Sequence, residues 1–300
     1  MKRTARVIVG VSLAAVVAGC AQPGDKQPAP PLADIHLHFK WDQKEVISAD
    51  EAIARLRDNN VVLAVVAGEP SATALELAAA GGDWVIPIFS PYIEHLSRYD
   101  WYRDPRVVQR AREGLRSGQY RGIGEVHLIA GNGPTAENEV VRGLFRLAAE
   151  FDVPLLLHTD ASDGRYFARI CQAHPDVRFL WAHAGGYLEA DHVQGVIENC
   201  PNVWVEFSAR DPWHYGTLVE DSGALRAGWL AVLQRYPDRF MVGSDPVWNA
   251  HQAYRWYEAD EGWFHLDELI GFHRSWLSTL PSDLEERIRL TNAKRFFGVE

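Results

Sequence analysis

The stretch ADIHLHF at residues 33–39 places two histidines one residue apart in an otherwise apolar segment. If this segment is a β-strand, its side chains alternate between two faces. His36 and His38 then point to one side, while Ile35 and Leu37 point to the other. Two neutral imidazoles on one face can bind the same cation. The pattern also occurs by chance on half-exposed strands, so the rest of the chain has to distinguish a metal site from an ordinary polar face.

Length and composition restrict the class of protein. The chain has 300 residues, 47% of them hydrophobic, which is enough for one large core or two smaller domains. Its 40 acidic residues outnumber 30 basic ones, and no basic cluster occurs beyond the extreme N-terminus. This balance argues against a nucleic-acid partner held by phosphate contacts.

The first residues have the pattern of an export signal, in which the cationic MKRTAR precedes the apolar VIVGVSLAAVVAG. The apolar run is too short for a permanent membrane span. Residues 17–20 resemble the bacterial lipobox, which implies cleavage before Cys20 and lipidation of that residue. An ordinary signal with an incidental cysteine is the alternative. We therefore predict a signal peptide at 1–19 and a proline-rich tether at 20–31. The expected location is a lipid-anchored position facing the periplasm, at the outer membrane because Ala21 is no inner-membrane retention signal.

Two further cysteines, Cys171 and Cys200, lie at the ends of successive predicted helical segments. An oxidising compartment permits a disulfide between them. Two buried free thiols are the expectation that we favour from the sequence.

From residue 32 to residue 300 the chain alternates short apolar runs with helical patterns. The runs are apolar throughout, as expected for strands covered on both faces. They occupy residues 32–38, 60–68, 84–92, 120–128, 153–160, 177–185, 202–209 and 240–247. Eight strands alternating with helices predict an α/β fold, a (β/α)8 TIM barrel at 32–300 with extra C-terminal helices. A doubly wound open sheet is the alternative, although no glycine-rich phosphate-binding motif follows the first strand.

Several helices are recognisable from local signals. Ser48 and Glu51 form a capping box at the start of the first helix. Apolar residues at helical spacing predict helices within 104–118, 137–151 and 223–237, and C-terminal helices at 253–260, 266–280 and 282–298.

The polar residues inside the apolar runs occur at the C-terminal ends of five strands. In a barrel these ends converge on one mouth, where active sites of this fold form. Burying this many ionisable groups is costly unless a cation compensates them. Nitrogen and carboxylate ligands without thiolates suit zinc first, with manganese, iron or nickel as alternatives. The six candidate metal ligands are His36, His38, Glu125, His158, His183 and Asp245.

These motifs in order, namely DIHLH, HTD, AHAGG, GSDP and the closing NAKRFFG, resemble the amidohydrolase 2 branch of the amidohydrolase superfamily. The resemblance implies that His36, His38 and Asp245 bind the catalytic metal. It also implies that His158 binds a metal, and that His183 binds a second metal or contacts substrate.

The number of ions stays open because Glu125 stands where many relatives carry a carboxylated lysine. Glu125 either bridges two ions, or lies behind a single ion held by His36, His38, His158 and Asp245. The single-ion arrangement is the one we favour from the sequence. His127 shares the face of Glu125 and is expected to be structural.

The resemblance implies hydrolysis of an amide, ester or lactone of a small carbonyl compound by an activated water, with Asp245 as general base and His183 polarising the substrate. Loops after the strands carry cationic and aromatic residues suited to a small carboxylate-bearing molecule. The candidate substrate residues are Lys40, Arg210 and Trp213.

Two alternatives remain at this stage. One is a non-oxidative decarboxylase or hydratase with the same ligands, and the other is a lipoprotein that binds a metal or ligand without catalysis. The expected partners are a small-molecule substrate, the membrane through the lipid, and a second copy of the chain in a homo-oligomer.

Overall fold

The computed structural model describes residues 29–95, 97–247 and 258–299. Within these residues, eight parallel strands alternate with helices. The strands are β1 (Leu32–Lys40), β2 (Val61–Glu69), β3 (Val85–Ile88), β4 (Ile123–His127), β5 (Leu155–His158), β6 (Phe179–Trp181), β7 (Val203–Glu206) and β8 (Phe240–Met241). The helices are α1 (Ala49–Asp58), α2 (Thr73–Gly81), α3 (Arg106–Arg116), α4 (Glu139–Glu150), α5 (Gly164–Ala173), α6 (Ala190–Asn199), α7 (Ala227–Arg235), α8 (Leu266–Leu277), α9 (Ser282–Glu286) and α10 (Asn292–Phe297). Short 3-10 turns lie at Gln43–Glu45, Ser97–Tyr99, Trp101–Arg103, Ala182–Gly185 and Gly262–His265.

Backbone hydrogen bonds close these strands into a barrel. The order β1-β2-β3 and the order β4 to β8 are both parallel. Phe89, just after β3, donates its N–H to Gly122 O at 2.9 Å, before β4. At the other seam, Ile35 N donates to Val242 O at 3.2 Å and Asp245 N donates to His36 O at 2.7 Å. The predicted (β/α)8 barrel is therefore confirmed, and the open sheet is excluded.

Local signals placed the helices well and the strand ends less well. The capping box at α1 is present in both directions, between Ser48 and Glu51. The last predicted strand extends to residue 247, whereas β8 ends at Met241, and β6 covers only three residues. The difference arises because the chain leaves the sheet where its side chains begin to form the site.

The first strand does not alternate simply. Its pairing with β2 is irregular between Asp34 and Leu37. Ile35 packs inside the barrel, whereas Leu37 packs in the layer between barrel and helices. The prediction that Ile35 and Leu37 share a face was wrong, because this irregularity shifts the side-chain pattern by one position. His36 and His38 nevertheless meet, with their Nε2 atoms 3.2 Å apart.

The C-terminal helices close the N-terminal end of the barrel. A π-helical turn at Arg287–Thr291 joins α9 to α10. Phe296 and Phe297 of α10 pack with the apolar residues of the barrel interior. The helix ends at Gly298, whose left-handed backbone (φ 63°) is a common helix C-cap.

Cys171, in the last turn of α5, forms a disulfide with Cys200, which follows α6. Their Cα atoms are 6.0 Å apart. The expectation of two free thiols was wrong, because α5 and α6 pack against each other and bring the two buried cysteines together.

Several predictions fall outside the described residues. These include the signal peptide, Cys20, most of the tether, and residues 253–257 of the predicted helix at 253–260. Among the described helices, none has the length and apolar character needed to span a bilayer.

Candidate active site and metal centre

The structure brings all six predicted metal ligands to the C-terminal end of the barrel. His36 and His38 belong to β1, Glu125 to β4 and His158 to the end of β5. The other two follow their strands: His183 lies in the turn after β6, and Asp245 lies four residues beyond β8.

The first donor group consists of the Nε2 atoms of His36 and His38, Oε2 of Glu125 and Oδ1 of Asp245. His38 Nε2 lies 3.2 Å from His36 Nε2, 3.3 Å from Glu125 Oε2 and 3.5 Å from Asp245 Oδ1. His36 Nε2 lies 3.8 Å from Glu125 Oε2 and 4.0 Å from Asp245 Oδ1. Two ligands of a tetrahedral zinc ion, each about 2.1 Å from the metal, lie about 3.4 Å apart. The atoms of His36, His38 and Asp245 therefore lie close enough together to bind one ion, and Glu125 Oε2 lies near both histidines.

The second donor group lies on the other side of Glu125 and consists of His158, His183 and Asp160. Glu125 Oε1 lies 2.8 Å from His158 Nδ1 and 3.3 Å from His183 Nε2. Asp160 Oδ2 lies 3.6 Å from His158 Nε2 and 4.0 Å from His183 Nε2. Asp160 was not among the predicted ligands, although it belongs to the HTD motif at residues 158–160.

A buried carboxylate behind the histidines was also overlooked. Glu206, the last residue of β7, is fully buried. Its Oε1 lies 2.9 Å from His36 Nδ1 and accepts the backbone N–H of His183 at 2.7 Å. The signal was present in the sequence, because a glutamate inside the apolar run VWVEF is as unusual as Glu125 in its own strand.

Two of the site residues have left-handed backbone conformations, with φ 56° at His183 and φ 46° at Asp245. Such conformations cost on the order of 1–3 kcal/mol for residues other than glycine and cluster at functional sites. Backbone hydrogen bonds hold both residues in place: His183 N donates to Glu206, and Asp245 N donates to His36 O.

The electrostatics of the cluster favour positive charge at its centre. Burial would lower the pKa of His36, but the neighbouring carboxylates, with Asp245 the strongest, raise it well above its usual value. Burial also opposes protonation of His183, yet Asp160 and Glu125 raise its pKa to about 10. Burial would raise the pKa of Glu125, but the surrounding imidazoles lower it well below its usual range.

A divalent cation fits this donor set. Asp245 Oδ1 and both carboxylate oxygens of Asp160 are buried and find no hydrogen-bond partner among the described residues. Unpaired buried carboxylate oxygens are costly unless a cation compensates them. The same cation would supply the positive charge that the histidine pKa shifts favour.

A cavity of about 430 Å³ opens above the two donor groups. Two predicted substrate residues, Lys40 and Trp213, line it. The ammonium of Lys40 lies 2.6 Å from Asp260 Oδ2 and 3.5 Å from Asp42 Oδ2, so nearby carboxylates balance its charge. Other aromatic walls come from Tyr187 and Tyr215.

Arg98 is a cationic residue of the cavity wall that the sequence analysis overlooked. Its Nη2 donates to His127 Nε2 at 3.3 Å, and its Nη1 lies 3.6 Å from Glu69 Oε2. His127 in turn lies 3.5 Å from Glu125 Oε2, and burial lowers the pKa of His127 well below its usual value. The imidazole of His127 therefore lies between Arg98 and Glu125, and it places Arg98 next to the metal ligands. Only the folded loop after β3 reveals this position.

Arg210 does not line the cavity, so its position contradicts the prediction that it binds substrate. Its side chain is fully buried. The guanidinium lies over the ring of Trp229, 4.8 Å from the ring centroid, and Nη2 donates to Leu188 O at 2.9 Å. Arg210 therefore packs behind the site.

Solved structures with a similar fold include the YjjV protein of Escherichia coli, a TatD homologue, with a TM-score of 0.63 at 14% identity over 90% of this chain and 98% of that one. An amidohydrolase of Burkholderia multivorans with bound zinc has a TM-score of 0.55 at 18% identity, over 90% of this chain and all of that one. A 2,6-dihydroxybenzoate decarboxylase in complex with 2,6-dihydroxybenzoate has a TM-score of 0.56 at 11% identity, over 89% of this chain and 100% of that one. At these identities the likeness shows the fold. No curated protein matches the sequence significantly.

The sequence model of the amidohydrolase 2 family, described as Amidohydrolase, matches residues 27–299. The match spans the barrel and every one of the six predicted ligands, which confirms the family resemblance of the strand-end motifs. The chain belongs to the amidohydrolase family and is an enzyme of the metal-dependent hydrolase type.

Proposed function

We propose that this enzyme hydrolyses an amide, ester or lactone of a small carbonyl compound. The observation that carries the proposal is the convergence of two donor groups on Glu125 at the floor of one cavity. Asp245 is the general base, and His183 serves as a ligand of the second donor group rather than as a direct substrate contact.

When bound, a divalent cation would polarise the carbonyl and make an attacking water more acidic. Asp245 is placed to accept the proton of that water, because the residue lines the cavity and its second oxygen, Oδ2, is not one of the atoms of the first donor group. Asp245 then returns the proton to the leaving group. His183 lines the same cavity with its Nε2 3.9 Å from Asp245 Oδ2, so a cation held by His183 would lie close to the base.

The geometry favours two cation positions that share Glu125, in contrast to the single ion favoured by the sequence. Each oxygen of Glu125 faces a different pair of histidines. The two histidines of the first donor group lie 3.2 Å apart at Nε2 and close to Asp245, whereas the distances from Asp160 to the histidines of the second group are 3.6 and 4.0 Å. We therefore propose a tighter site at His36 and His38 and a weaker one at His158 and His183, with zinc as the preferred ion.

For the substrate we propose a small molecule that carries an anionic group. Arg98 supplies a cationic side chain whose exposed fraction is 40% at the cavity wall. Tyr187, Trp213 and Tyr215 supply flat surfaces for an aromatic or cyclic body. Arg98→Ala should raise KM for carboxylated substrates far more than for their neutral amides or esters.

The first experiment is metal content by elemental mass spectrometry on residues 21–300, purified without chelators or an affinity metal. We expect about two ions per chain, and about one in His158→Ala. About one ion per unaltered chain would contradict the proposal that two cations share Glu125. Absence of metal after addition of zinc or manganese would refute the metal mechanism. A panel of lactones, esters and amides, with and without a carboxylate, then tests hydrolysis.

Decarboxylation is the second candidate, because one protein of similar fold is a decarboxylase that binds an aromatic acid. The cavity, which is lined by Arg98 and by aromatic side chains, would also suit an aromatic acid. Release of carbon dioxide from a carboxylated aromatic, with no hydrolysis across the panel, would favour this alternative.

We also propose that the enzyme is exported and lipidated at Cys20. The Cys171–Cys200 disulfide supports an oxidising compartment. Cys20→Ala should move the protein from the membrane fraction to the soluble periplasmic fraction. Continued membrane anchoring of the variant would refute lipidation.

A further inference from the structure

We propose that Glu206 is a positioning residue: it holds His36 in the tautomer that directs Nε2 toward the metal site, and it fixes the backbone of His183. The inference rests on the proposed metal-dependent function. Its consequence is a metal affinity, which can be measured without any turnover.

Glu206 is surrounded by hydrogen-bond donors on both carboxylate oxygens. Its Oε1 accepts from His36 Nδ1 at 2.9 Å, from His183 N at 2.7 Å and from Ser208 Oγ at 2.9 Å. Its Oε2 accepts from Ser208 N at 2.6 Å. Two of these donors are backbone N–H groups, one on each oxygen, and the four contacts together fix the orientation of the fully buried carboxylate.

These contacts determine which nitrogen of each imidazole carries hydrogen. Because Glu206 accepts on both oxygens, His36 Nδ1 carries a hydrogen toward it, and Nε2 is the nitrogen left to bind a cation in the first donor group. His183 Nδ1 lies 3.3 Å from the carbonyl oxygen of Ser208 and 2.8 Å from Ser208 Oγ. The carbonyl oxygen only accepts, so His183 is also protonated on Nδ1, and its Nε2 faces Glu125. Ser208 Oγ accepts from His183 and donates to Glu206.

The backbone leaves room for this arrangement at Gly243, just beyond β8. A Cβ at Gly243 would lie 2.6 Å from His36 Cβ and 3.1 Å from Glu206 Oε2. Glu206 thus connects one histidine from each donor group: the ring of His36 on β1 and the backbone of His183 after β6. Partners of this kind orient metal ligands, and their loss typically weakens metal affinity 10–100-fold.

The test is zinc affinity, measured by competition with a chromophoric chelator. Glu206→Gln keeps the side-chain size and removes the charge. It also places an amide N–H2 group, which donates, against groups that themselves donate hydrogen bonds to Glu206. We expect its zinc affinity to fall about 10–100-fold. Glu206→Asp restores the charge and should recover part of the loss, and Ser208→Ala should show a smaller loss. Asp211→Asn is the matched control: this buried carboxylate pairs with His214 Nδ1 at 2.9 Å, outside the two donor groups, and its loss should leave zinc affinity unchanged.

Wild-type zinc affinity in Glu206→Gln would overturn the proposal, even if hydrolysis were lost. An equal loss in Asp211→Asn would also overturn it, because any buried carboxylate would then have the same effect. If Glu206→Gln does not fold, the test is the zinc affinity of Ser208→Ala. An unchanged zinc affinity in Ser208→Ala would then refute the positioning role of Glu206. A wild-type chain that binds zinc but hydrolyses nothing contradicts the proposed function alone. A wild-type chain that binds no zinc overturns both.

Discussion

The two ends of the barrel interior contain opposite chemistry within the same strands. At the C-terminal ends, histidines and carboxylates surround Glu125 under an open cavity. At the N-terminal ends, the interior is apolar, with Ala33 and Ile35 of β1 packed near Phe296 and Phe297 of α10. Ile35 and His36 are neighbours in sequence yet belong to different regions. The comparison indicates that a costly cluster of ionisable groups is held in place by a close-packed apolar floor.

The strongest test of this division is a carboxylate at the open end. Asp245→Asn should lower turnover about 10²–10⁴-fold, because the proton acceptor is lost, while thermal unfolding changes little. The control is Asp238→Asn, at the opposite end, where an exposed carboxylate pairs with Arg287 at 2.8 Å and turnover should be unaffected. Normal turnover in Asp245→Asn would remove the proposed base.

At the apolar end the expected effects are reversed. The ring of Phe296 packs against Trp204, with 4.9 Å between ring centroids, and Arg178 lies over it at 5.4 Å. Phe296→Ala should lower the free energy of unfolding by about 3–5 kcal/mol, because it leaves a cavity in the floor. Denaturant titration measures this loss, and elemental analysis should show unchanged metal content. If Phe296→Ala lost metal while its free energy of unfolding stayed unchanged, the separation between apolar floor and metal site would be contradicted.

The helix layer outside the barrel should stabilise both ends equally. Replacing Cys171 and Cys200 together with alanine removes a disulfide across a sequence separation of 29 residues. We expect the free energy of unfolding to fall by about 2–4 kcal/mol, with the turnover of the folded enzyme unchanged. A reduced metal affinity in this double variant would instead connect the helix layer to the site.

A buried histidine whose desolvation outweighs the nearby carboxylates Asp211 and Glu206 gives the smallest expected effect. Burial lowers the pKa of His273 in α8 to about 4, and Trp276 Nε1 donates to its Nδ1 at 3.2 Å. The unfolded chain binds this proton near pH 6.5, so below that pH the unfolded state takes up more protons than the folded one. The free energy of unfolding should therefore fall by on the order of 1–3 kcal/mol between about pH 6.5 and pH 4.

The matched variant for this measurement is His273→Gln, which keeps an acceptor for Trp276. Denaturant midpoints of the two proteins across the same pH range isolate the contribution of the histidine. The variant should show a shallower dependence on pH, and an unchanged slope would refute the lowered pKa of His273.

Much of the site could be predicted because its residues interrupt apolar strands. His36, His38 and Glu125 stand out as polar side chains in runs that are otherwise buried. Glu206 carries the same signal and was overlooked, whereas Arg98 had none, because only the path of the loop after β3 brings it to the cavity. Arg210 is the opposite case: its position in the loop after β7 suggested substrate binding, but its guanidinium packs over the ring of Trp229.

By itself the sequence determined the alternation of strands and helices and the end of the barrel where the polar residues collect. Both follow from local patterns, since side-chain periodicity and strand direction depend on neighbours along the chain. Only the tertiary structure decided that Glu125 divides its oxygens between two donor groups, that Glu206 orients His36, and that Cys171 meets Cys200. These contacts join residues far apart in sequence, and their geometry depends on how the whole barrel closes.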